Sequence, residues 1–401
     1  MIPAKHPKLA HLSDEHLEAL VARYYAGSRT SDLVTEFGID ARPSDLFKLF
    51  SPREVATATC PYCEVNLWQK LPSKSSRYAD PPYCPRCSHQ DPQGTRHQCQ
   101  CANCRGRAEE RRQAVEDMKR ALVREAYPAV ELWQNPNVAS LAQQLTLRDA
   151  VFMTALFRNW HCDKSGAAGT PVSKERPLAP TFDLAKGLLA HLAARGLISV
   201  SAESPTEAFD FDDELTRVAA HYIFRVRYRL FPMLPVDLIP EALRTIDTMA
   251  NEGFWLPSAE TVVNEAVALW KELALHECLE TFQHQGELHN LQPPSGDKTS
   301  LTFQSLLEDF SVAQVYNIVW SAARNGAAYY QRGGITKSQA ANSMVGGCRS
   351  RGDKARVEGW EVKPYSRNFD RPRSELSLVL HDVFLKIGEL GFTHKPSKDL
   401  L

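Results

Sequence analysis

CPYC at residues 60–63, CPRCSH at 84–89 and HQCQCANC at 97–104 together hold seven of the ten cysteines in this chain. The first two stretches carry C-x-x-C pairs about twenty residues apart, which is the sequence pattern of a tetrahedral zinc site. Each pair lies on a tight turn and offers two thiolates at one vertex, and the intervening chain is long enough to return as a hairpin. The region therefore predicts a metal-binding module, which bears on stability and partners more than on catalysis.

Seven thiolates and one imidazole are enough for two closed tetrahedral sites, so we expect two structural Zn²⁺ ions. The simplest first site resembles a zinc ribbon and uses Cys60, Cys63, Cys84 and Cys87. The second site would then use His97, Cys99, Cys101 and Cys104. A nested alternative joins Cys60 and Cys63 to Cys101 and Cys104, and leaves Cys84, Cys87, Cys99 and either His89 or His97. A single zinc and a redox or iron–sulfur role are further alternatives.

The N-terminal segment is charged and is interrupted by Pro3 and Pro7, and no run of about 18 apolar residues occurs. We therefore expect neither a secretory leader nor a membrane span. Clustered cysteines without such a leader indicate metal binding rather than disulfides. These features favour a cytoplasmic protein, and a nuclear setting also fits.

The chain of 401 residues is too long for one typical core, and its composition is that of an ordinary globular protein. We predict a mainly α, multidomain protein in five segments. These are a helix-turn-helix-like three-helix unit (1–56), the zinc-binding cysteine module (57–106), a connecting helix (107–137), a winged-helix-like domain (138–232) and a helical C-terminal region with a basic aromatic loop (233–401).

Residues 12–50 predict three short helices, of which Gly27 and Gly38 end the first two and Pro43 begins the third. A long helix, a short helix, a glycine-containing turn and a final helix resemble a helix-turn-helix. In that fold the last helix enters the DNA groove. The resemblance implies groove contacts from Arg42, Ser44 and Lys48. A plain three-helix bundle and a protein-docking module are the alternatives.

Residues 138–232 resemble a winged helix. Thr181 is the predicted N-cap of a helix that Gly196 closes, and residues 197–201 follow as a strand with residues 209–211 as a candidate hairpin partner. Residues 221–230 alternate apolar and basic side chains, which predicts a strand with one cationic face. That face would carry Arg225, Arg227 and Arg229.

Charge is distributed unevenly in the C-terminal half. Residues 324–373 contain eleven Lys or Arg against four Asp or Glu, whereas residues 201–320 contain seven against nineteen. This asymmetry indicates either a polyanion-binding face or two regions that dock on each other. Gly346 and Gly347 are expected to end a helix, and a loop of interleaved aromatic and basic residues follows, which suits stacking on bases or pinning of the loop to its own domain.

The remaining candidate nucleic-acid contacts are cations. At the cysteine module they are Arg86, Arg105 and Arg107. In the C-terminal region they are Arg349, Arg351, Lys354, Arg367, Arg371 and Arg373. Arginine and lysine at such positions suit contacts with phosphates.

The sequence lacks a P-loop, a G-x-S-x-G motif and an H-E-x-x-H motif, and the run of carboxylates at 210–214 is typical of a solvated turn. We therefore expect a binding protein rather than an enzyme. The predicted partner is nucleic acid, DNA in preference to RNA, with room for a protein partner and none for a membrane. The predicted role is a regulator or a recognition subunit of a larger system, such as mobile-element or antiviral defence. The alternatives are a zinc-stabilised protein–protein scaffold and a nuclease acting through Asp210 or Asp212.

Overall fold

The computed structural model describes residues 5–76, 79–90, 99–162, 168–171, 176–255, 260–368 and 370–401. The protein is mainly helical, as predicted. The chain divides into two units, Met1–Met118 and Lys119–Leu401. Within the described ranges, no helix combines the length and the apolar character that crossing a membrane requires.

After a one-turn 3-10 helix (Pro7–Leu9), the first unit contains three short helices around one small core. They are α1 (Asp14–Tyr25), α2 (Thr30–Glu36) and a 3-10 helix (Pro43–Leu49). Leu20, Leu33 and Leu46 contribute one fully buried side chain from each helix. The third helix is a seven-residue 3-10 helix, which is narrower and shorter than the α-helix that enters a DNA groove. The helix-turn-helix function of this segment therefore stays a prediction.

The cysteine module follows as a β-hairpin and ends in a long helix. Strands β1 (Arg53–Thr59) and β2 (Asn66–Gln69) pair antiparallel, and α3 (Ala102–Ala126) begins directly after the last cysteine-rich stretch. Val123 is the one buried residue of α3 in its described length, so the residues of this helix in the first unit are half-buried or exposed.

The second unit opens with three helices and a small sheet. The helices are α4 (Val138–Gln143), α5 (Leu147–Arg158) and α6 (Phe182–Ala194). The strands are β3 (Trp160–Cys162), β4 (Ala168–Pro171), β5 (Ile198–Val200), β6 (Phe209–Phe211), β7 (Val218–His221) and β8 (Tyr228–Leu230). Buried Asp149 of α5 bonds His191 at 2.7 Å and Arg195 at 3.1 Å, and this fixes α5 against the end of α6.

The strand pairing differs from the sequence prediction. The antiparallel sheet has the order β3-β4-β8-β5, so β5 pairs with β8, while β6 pairs with β7 in a separate hairpin. Residues 221–230 are not one strand either. The carbonyl of Tyr222 accepts hydrogen bonds from the amides of Arg225 and Val226, and the resulting turn separates β7 from β8.

The remainder of the second unit is helical. Its side chains belong to the same hydrophobic core as those of α4, α5, α6 and the small sheet. Its helices are α7 (Ile239–Glu252), α8 (Glu260–Leu288), α9 (Asp297–Leu307), α10 (Val312–Gln331), α11 (Lys337–Glu358), α12 (Glu375–Leu378), a π-helical turn (Val379–Phe384) and α13 (Leu390–Thr393). One hydrophobic cluster extends from Val123 to Phe392. The predicted boundary at residue 232 therefore does not divide the core.

Helix α11 runs without interruption through Gly346 and Gly347, contrary to the sequence prediction. A Cβ atom at Gly347 would lie 3.3 Å from the Cβ of Ala322 on α10, and one at Gly352 would overlap the side chain of Leu306 on α9. These glycines therefore permit close packing of the helices instead of ending α11. Gly346 has open space around it.

Two alanine substitutions on α11 distinguish a glycine that is needed for close helix packing, Gly352, from one that is not, Gly346. We expect Gly346→Ala to raise the free energy of unfolding by about 0.5–1 kcal/mol, because alanine favours a helix more than glycine does. Gly352→Ala should lower it by about 1–2 kcal/mol, because overpacking against Leu306 outweighs the same helix preference. Chemical denaturation checks both values, and equal shifts of the same sign would contradict the packing role of Gly352.

Candidate metal centre

Two turns bring the first four cysteines together. Residues 60–63 form the turn between β1 and β2, in which the amide of Glu64 donates to the carbonyl of Cys60 at 3.0 Å. In the second turn the amide of Ser88 donates to the carbonyl of Cys84 at 2.9 Å. Glu64 and Ser88 both adopt positive φ values, of 54° and 56°, so the two turns close in the same way.

Tyr83 aligns the second turn with the hairpin. Its amide and carbonyl exchange hydrogen bonds with Trp68 of β2, at 2.7 and 2.8 Å, and it also bridges to Gln90. The two turns therefore face each other across a short sheet. This pairing is the local structure that the spacing of the two C-x-x-C pairs predicts.

The first cluster contains Cys60, Cys63, Cys84 and Cys87, whose sulfur atoms all lie within 4.8 Å of one another. The Sγ atoms of Cys60 and Cys87 are 3.6 Å apart. Two sulfurs on one tetrahedral zinc, each about 2.3 Å from the ion, would be about 3.8 Å apart. The spacing therefore fits a four-thiolate metal site.

The electrostatics of this cluster favour a cation. Burial raises the pKa of Cys84, but backbone N–H groups of Cys87 and Arg86 and the neighbouring thiols outweigh it and bring this pKa down to about 7. Burial and the adjacent thiols raise the pKa of Cys87 to about 12. Four thiols this close cannot all lose their protons unless positive charge offsets the mutual repulsion, and a divalent metal ion supplies that charge.

The second cluster contains His89, Cys99, Cys101 and Cys104, again within 4.8 Å of one another. Nδ1 of His89 lies 3.3 Å from Sγ of Cys104. Sγ of Cys99 accepts a hydrogen bond from the amide of Gln90 at 3.1 Å, and Sγ of Cys101 accepts one from the amide of Cys104 at 3.4 Å. Cys104 lies in the first turn of α3, so the helix positions one ligand.

The structure thus shows the sequential grouping of cysteines and not the nested one. His89 provides the imidazole of the second cluster, where we had placed His97; His97 lies outside the described residues. The seven cysteines of the two clusters are all free thiols, so both clusters keep their ligand atoms. With four ligands each, the clusters can hold two metal ions in closed sites.

Tyr62 joins the two clusters, and the sequence analysis did not identify it. It lies inside the first C-x-x-C turn, yet its hydroxyl is 3.3 Å from Sγ of Cys104 in the second cluster. Its ring meets the ring of His89 edge-on at 5.2 Å and carries the guanidinium of Arg107 4.5 Å above it. Tyr62 therefore contacts residues of both clusters, so a displacement of the first turn would move a side chain that packs against the second cluster.

The predicted cations of the first unit lie on its surface. Arg86, Arg105 and Arg107 are exposed, and none of them forms an ion pair in the part of the chain that the structure describes. Arg42, Ser44 and Lys48 are also exposed, and Lys48 pairs with Asp45 at 2.7 Å.

The three arginines predicted on one strand face are separated in the structure. Arg225 belongs to the turn before β8 and stacks on Tyr222 at 4.9 Å. Arg227 lies just before β8, where its backbone holds Ser204. Arg229 is half-buried in β8 and donates to the carbonyl of Leu234 at 3.2 Å. They do not form the single cationic face that the alternation predicted.

The cations of the C-terminal region fall into two groups. Arg349 and Lys354 are exposed on α11, whereas Arg351 points inward and donates to Asn317 at 3.4 Å. Beyond α11, Arg367, Arg371 and Arg373 bind carboxylates of their own unit.

Arg367 and Arg373 are removed from solvent by these ion pairs. Arg367 donates to buried Glu277 at 2.9 Å and covers the ring of Phe392 at 4.0 Å. Arg373 binds both oxygens of Asp382 at 2.9 Å, and Arg371 pairs with Glu287 at 3.1 Å. The nucleic-acid contacts of Arg367 and Arg373 stay a prediction, and these ion pairs favour docking of the acidic and basic regions within the unit.

The carboxylate run at 210–214 forms a turn. Asp212 accepts hydrogen bonds from the amide of Thr216 at 2.7 Å and from its hydroxyl, and these bonds lower the pKa of Asp212. This arrangement is that of a turn-forming side chain.

No protein-family model matches the chain, and comparisons with curated proteins and with solved structures found no match.

The two histidines allow a direct test of the second cluster. We expect the purified protein to carry about two zinc ions and His89→Ala to carry about one, because three thiolates alone leave the tetrahedral site open. The matched variant His97→Ala should keep both ions. Elemental analysis of folded protein measures the metal content. A loss of zinc in His97→Ala with full zinc in His89→Ala would contradict the ligand set.

Proposed function

We propose that this protein binds nucleic acid, DNA in preference to RNA, through a module that two structural zinc ions hold together. Zinc is the metal that best suits four-ligand sites of cysteine and histidine with no open position for water. The proposed role is that of a regulator or a recognition subunit in a larger system, such as mobile-element or antiviral defence.

The observation that carries the proposal is the state of the arginines on the cysteine module. Arg86 and Arg105 are exposed and have no acidic partner in the described residues, unlike Arg367 and Arg373 of the second unit. Arg107 is held over the ring of Tyr62, so its guanidinium is already ordered. Exposed, unpaired and ordered guanidinium groups are well suited to phosphate contacts, since little entropy is lost on binding.

A protein–protein scaffold is the second candidate. It is supported by helix α3, on which Val115 and Met118 are exposed at 40% and 50%. An exposed helix with apolar side chains can dock on a protein partner. Both functions share the zinc-stabilised module and differ in whether its surface binds phosphates.

Fluorescence anisotropy with duplex DNA, single-stranded DNA and RNA at about 50 and 200 mM salt distinguishes them, because each phosphate contact adds about 0.9 to the slope of log affinity against log salt. We expect the triple variant Arg86→Gln, Arg105→Gln, Arg107→Gln to lower this slope by about 2–3 and to weaken DNA binding at least tenfold.

The matched control replaces three exposed cations of the second unit, Lys186→Gln, Arg244→Gln and Lys298→Gln, and should leave the slope unchanged. DNA binding that is unchanged in the triple variant would contradict the proposal. So would the absence of binding to any nucleic acid at the lower salt. The second outcome would direct attention to the scaffold.

A further inference from the structure

A cavity of about 430 Å³ lies in the second unit, away from every residue assigned to the metal clusters. It is formed where α5 ends, α6 begins and the segment after α11 crosses α8. A volume of this size is within the range of small-molecule sites, which is about 300–1,000 Å³. Its lining includes two aromatic rings and three polar or charged side chains. The hydrogen-bonding capacity of these three side chains is not fully satisfied by the residues that the structure describes.

One wall is aromatic. Phe182 is the first residue of α6, and 63% of its surface is exposed. Its ring meets the ring of Phe224 at 5.1 Å with an interplanar angle of 60°. Phe224 supports Phe182 from the side and leaves its face open. A large apolar ring held in this way is a surface on which a planar ligand can stack.

The lining of the cavity also includes a residue with an unsatisfied acceptor. Asn159 is only 4% exposed, and its Nδ2 donates to the carbonyl of Arg176 at 2.5 Å. Its Oδ1 is buried and has no hydrogen-bond partner among the described residues. Buried polar atoms are nearly always paired in folded proteins, so this oxygen indicates a missing donor.

Glu280 and Arg371 complete the polar lining. Burial raises the pKa of Glu280 to about 7; Glu277 adds to this effect, while Arg371 and Arg367 oppose it. Near neutral pH the carboxyl is therefore protonated for part of the time and can both donate and accept a hydrogen bond. Arg371 uses Nε on His284 and one terminal nitrogen on Glu287, which leaves its other terminal nitrogen available.

We infer that this cavity binds one nucleotide, with its base stacked on Phe182, its hydrogen-bonding edge facing Asn159 and Glu280, and its phosphate near Arg371. The nucleotide is either free or an unstacked residue of a single strand. Because the oxygen of Asn159 can only accept, the base must present an N–H group to it, such as the amino group of adenine, cytosine or guanine or the N3–H of uracil. Asp370 lines the same cavity, and its charge favours one phosphate over several. This site goes beyond the proposed function of the zinc module and does not depend on it.

Calorimetric titration of the full-length protein with AMP, CMP, GMP and UMP tests the inference. We expect at least one of these four nucleotides to bind at one site per protein. Phe182→Ala should weaken that binding at least tenfold, and Phe157→Ala, an exposed aromatic that lines a different cavity, should leave it unchanged. Arg371→Gln should weaken AMP but not adenosine, because only AMP has a phosphate. Thermal melting of each variant confirms that it is folded.

The same variants with single-stranded dA and dT decamers identify the source of the nucleotide. Tight binding of mononucleotides supports a free ligand; binding of a decamer but of no mononucleotide, lost in Phe182→Ala, supports a strand. If neither mononucleotides nor decamers bind, or if Phe182→Ala and Phe157→Ala behave alike, the inference is wrong. Duplex binding that depends on Arg86, Arg105 and Arg107 should persist in Phe182→Ala, so failure of one proposal does not imply failure of the other.

Discussion

The first unit depends on charge neutralisation at two clusters of ligands. Eight sulfur and nitrogen atoms are brought together in two groups within 4.8 Å each. The hydrophobic core of the cysteine module is minimal, with Leu67 as its one fully buried side chain apart from Cys60 and Cys84. Such a small core cannot offset the chain entropy of folding, whereas a structural zinc site contributes on the order of 10 kcal/mol. We therefore propose that metal binding stabilises the fold of this module and positions its exposed arginines.

The second unit is organised by burial and by internal ion pairs. The acidic helix α8 places Glu277 in the core, and the basic segment that follows α11 returns Arg367 to it. Ser377 also donates to the Glu277 carboxylate, at 2.8 Å. A buried carboxylate needs such partners, because its desolvation otherwise costs several kcal/mol. The opposite charges of the two regions thus hold the helices together, and only part of the positive charge remains for a ligand.

Local features were predictable from the sequence. The predicted N-cap Thr181 accepts a hydrogen bond from the amide of Leu184, because a cap depends on the next three residues only. The first cysteine cluster was also predictable, because the spacing of the two C-x-x-C pairs is by itself the pattern of a metal site. His89 lies two residues after Cys87, and this short spacing was the one available indication that it, too, is a ligand.

Long-range features were not predictable. The pairing of β5 with β8 and the ion pair of Arg367 with Glu277 join residues far apart in the chain, where periodicity carries no information. Gly346 and Gly347 look like a helix end in isolation, but α10 packs against α11 there and needs their small size at Gly347. The cavity beside Phe182 likewise forms only after five separate segments have met.

X-ray absorption spectroscopy at the zinc edge tests the central claim most directly. Seven thiolates and one imidazole shared by two ions give an average of 3.5 sulfur and 0.5 nitrogen neighbours per zinc. The account predicts this four-coordinate shell, with zinc–sulfur distances of about 2.3 Å. A shell dominated by oxygen or nitrogen, or folded protein that carries no zinc, would contradict it.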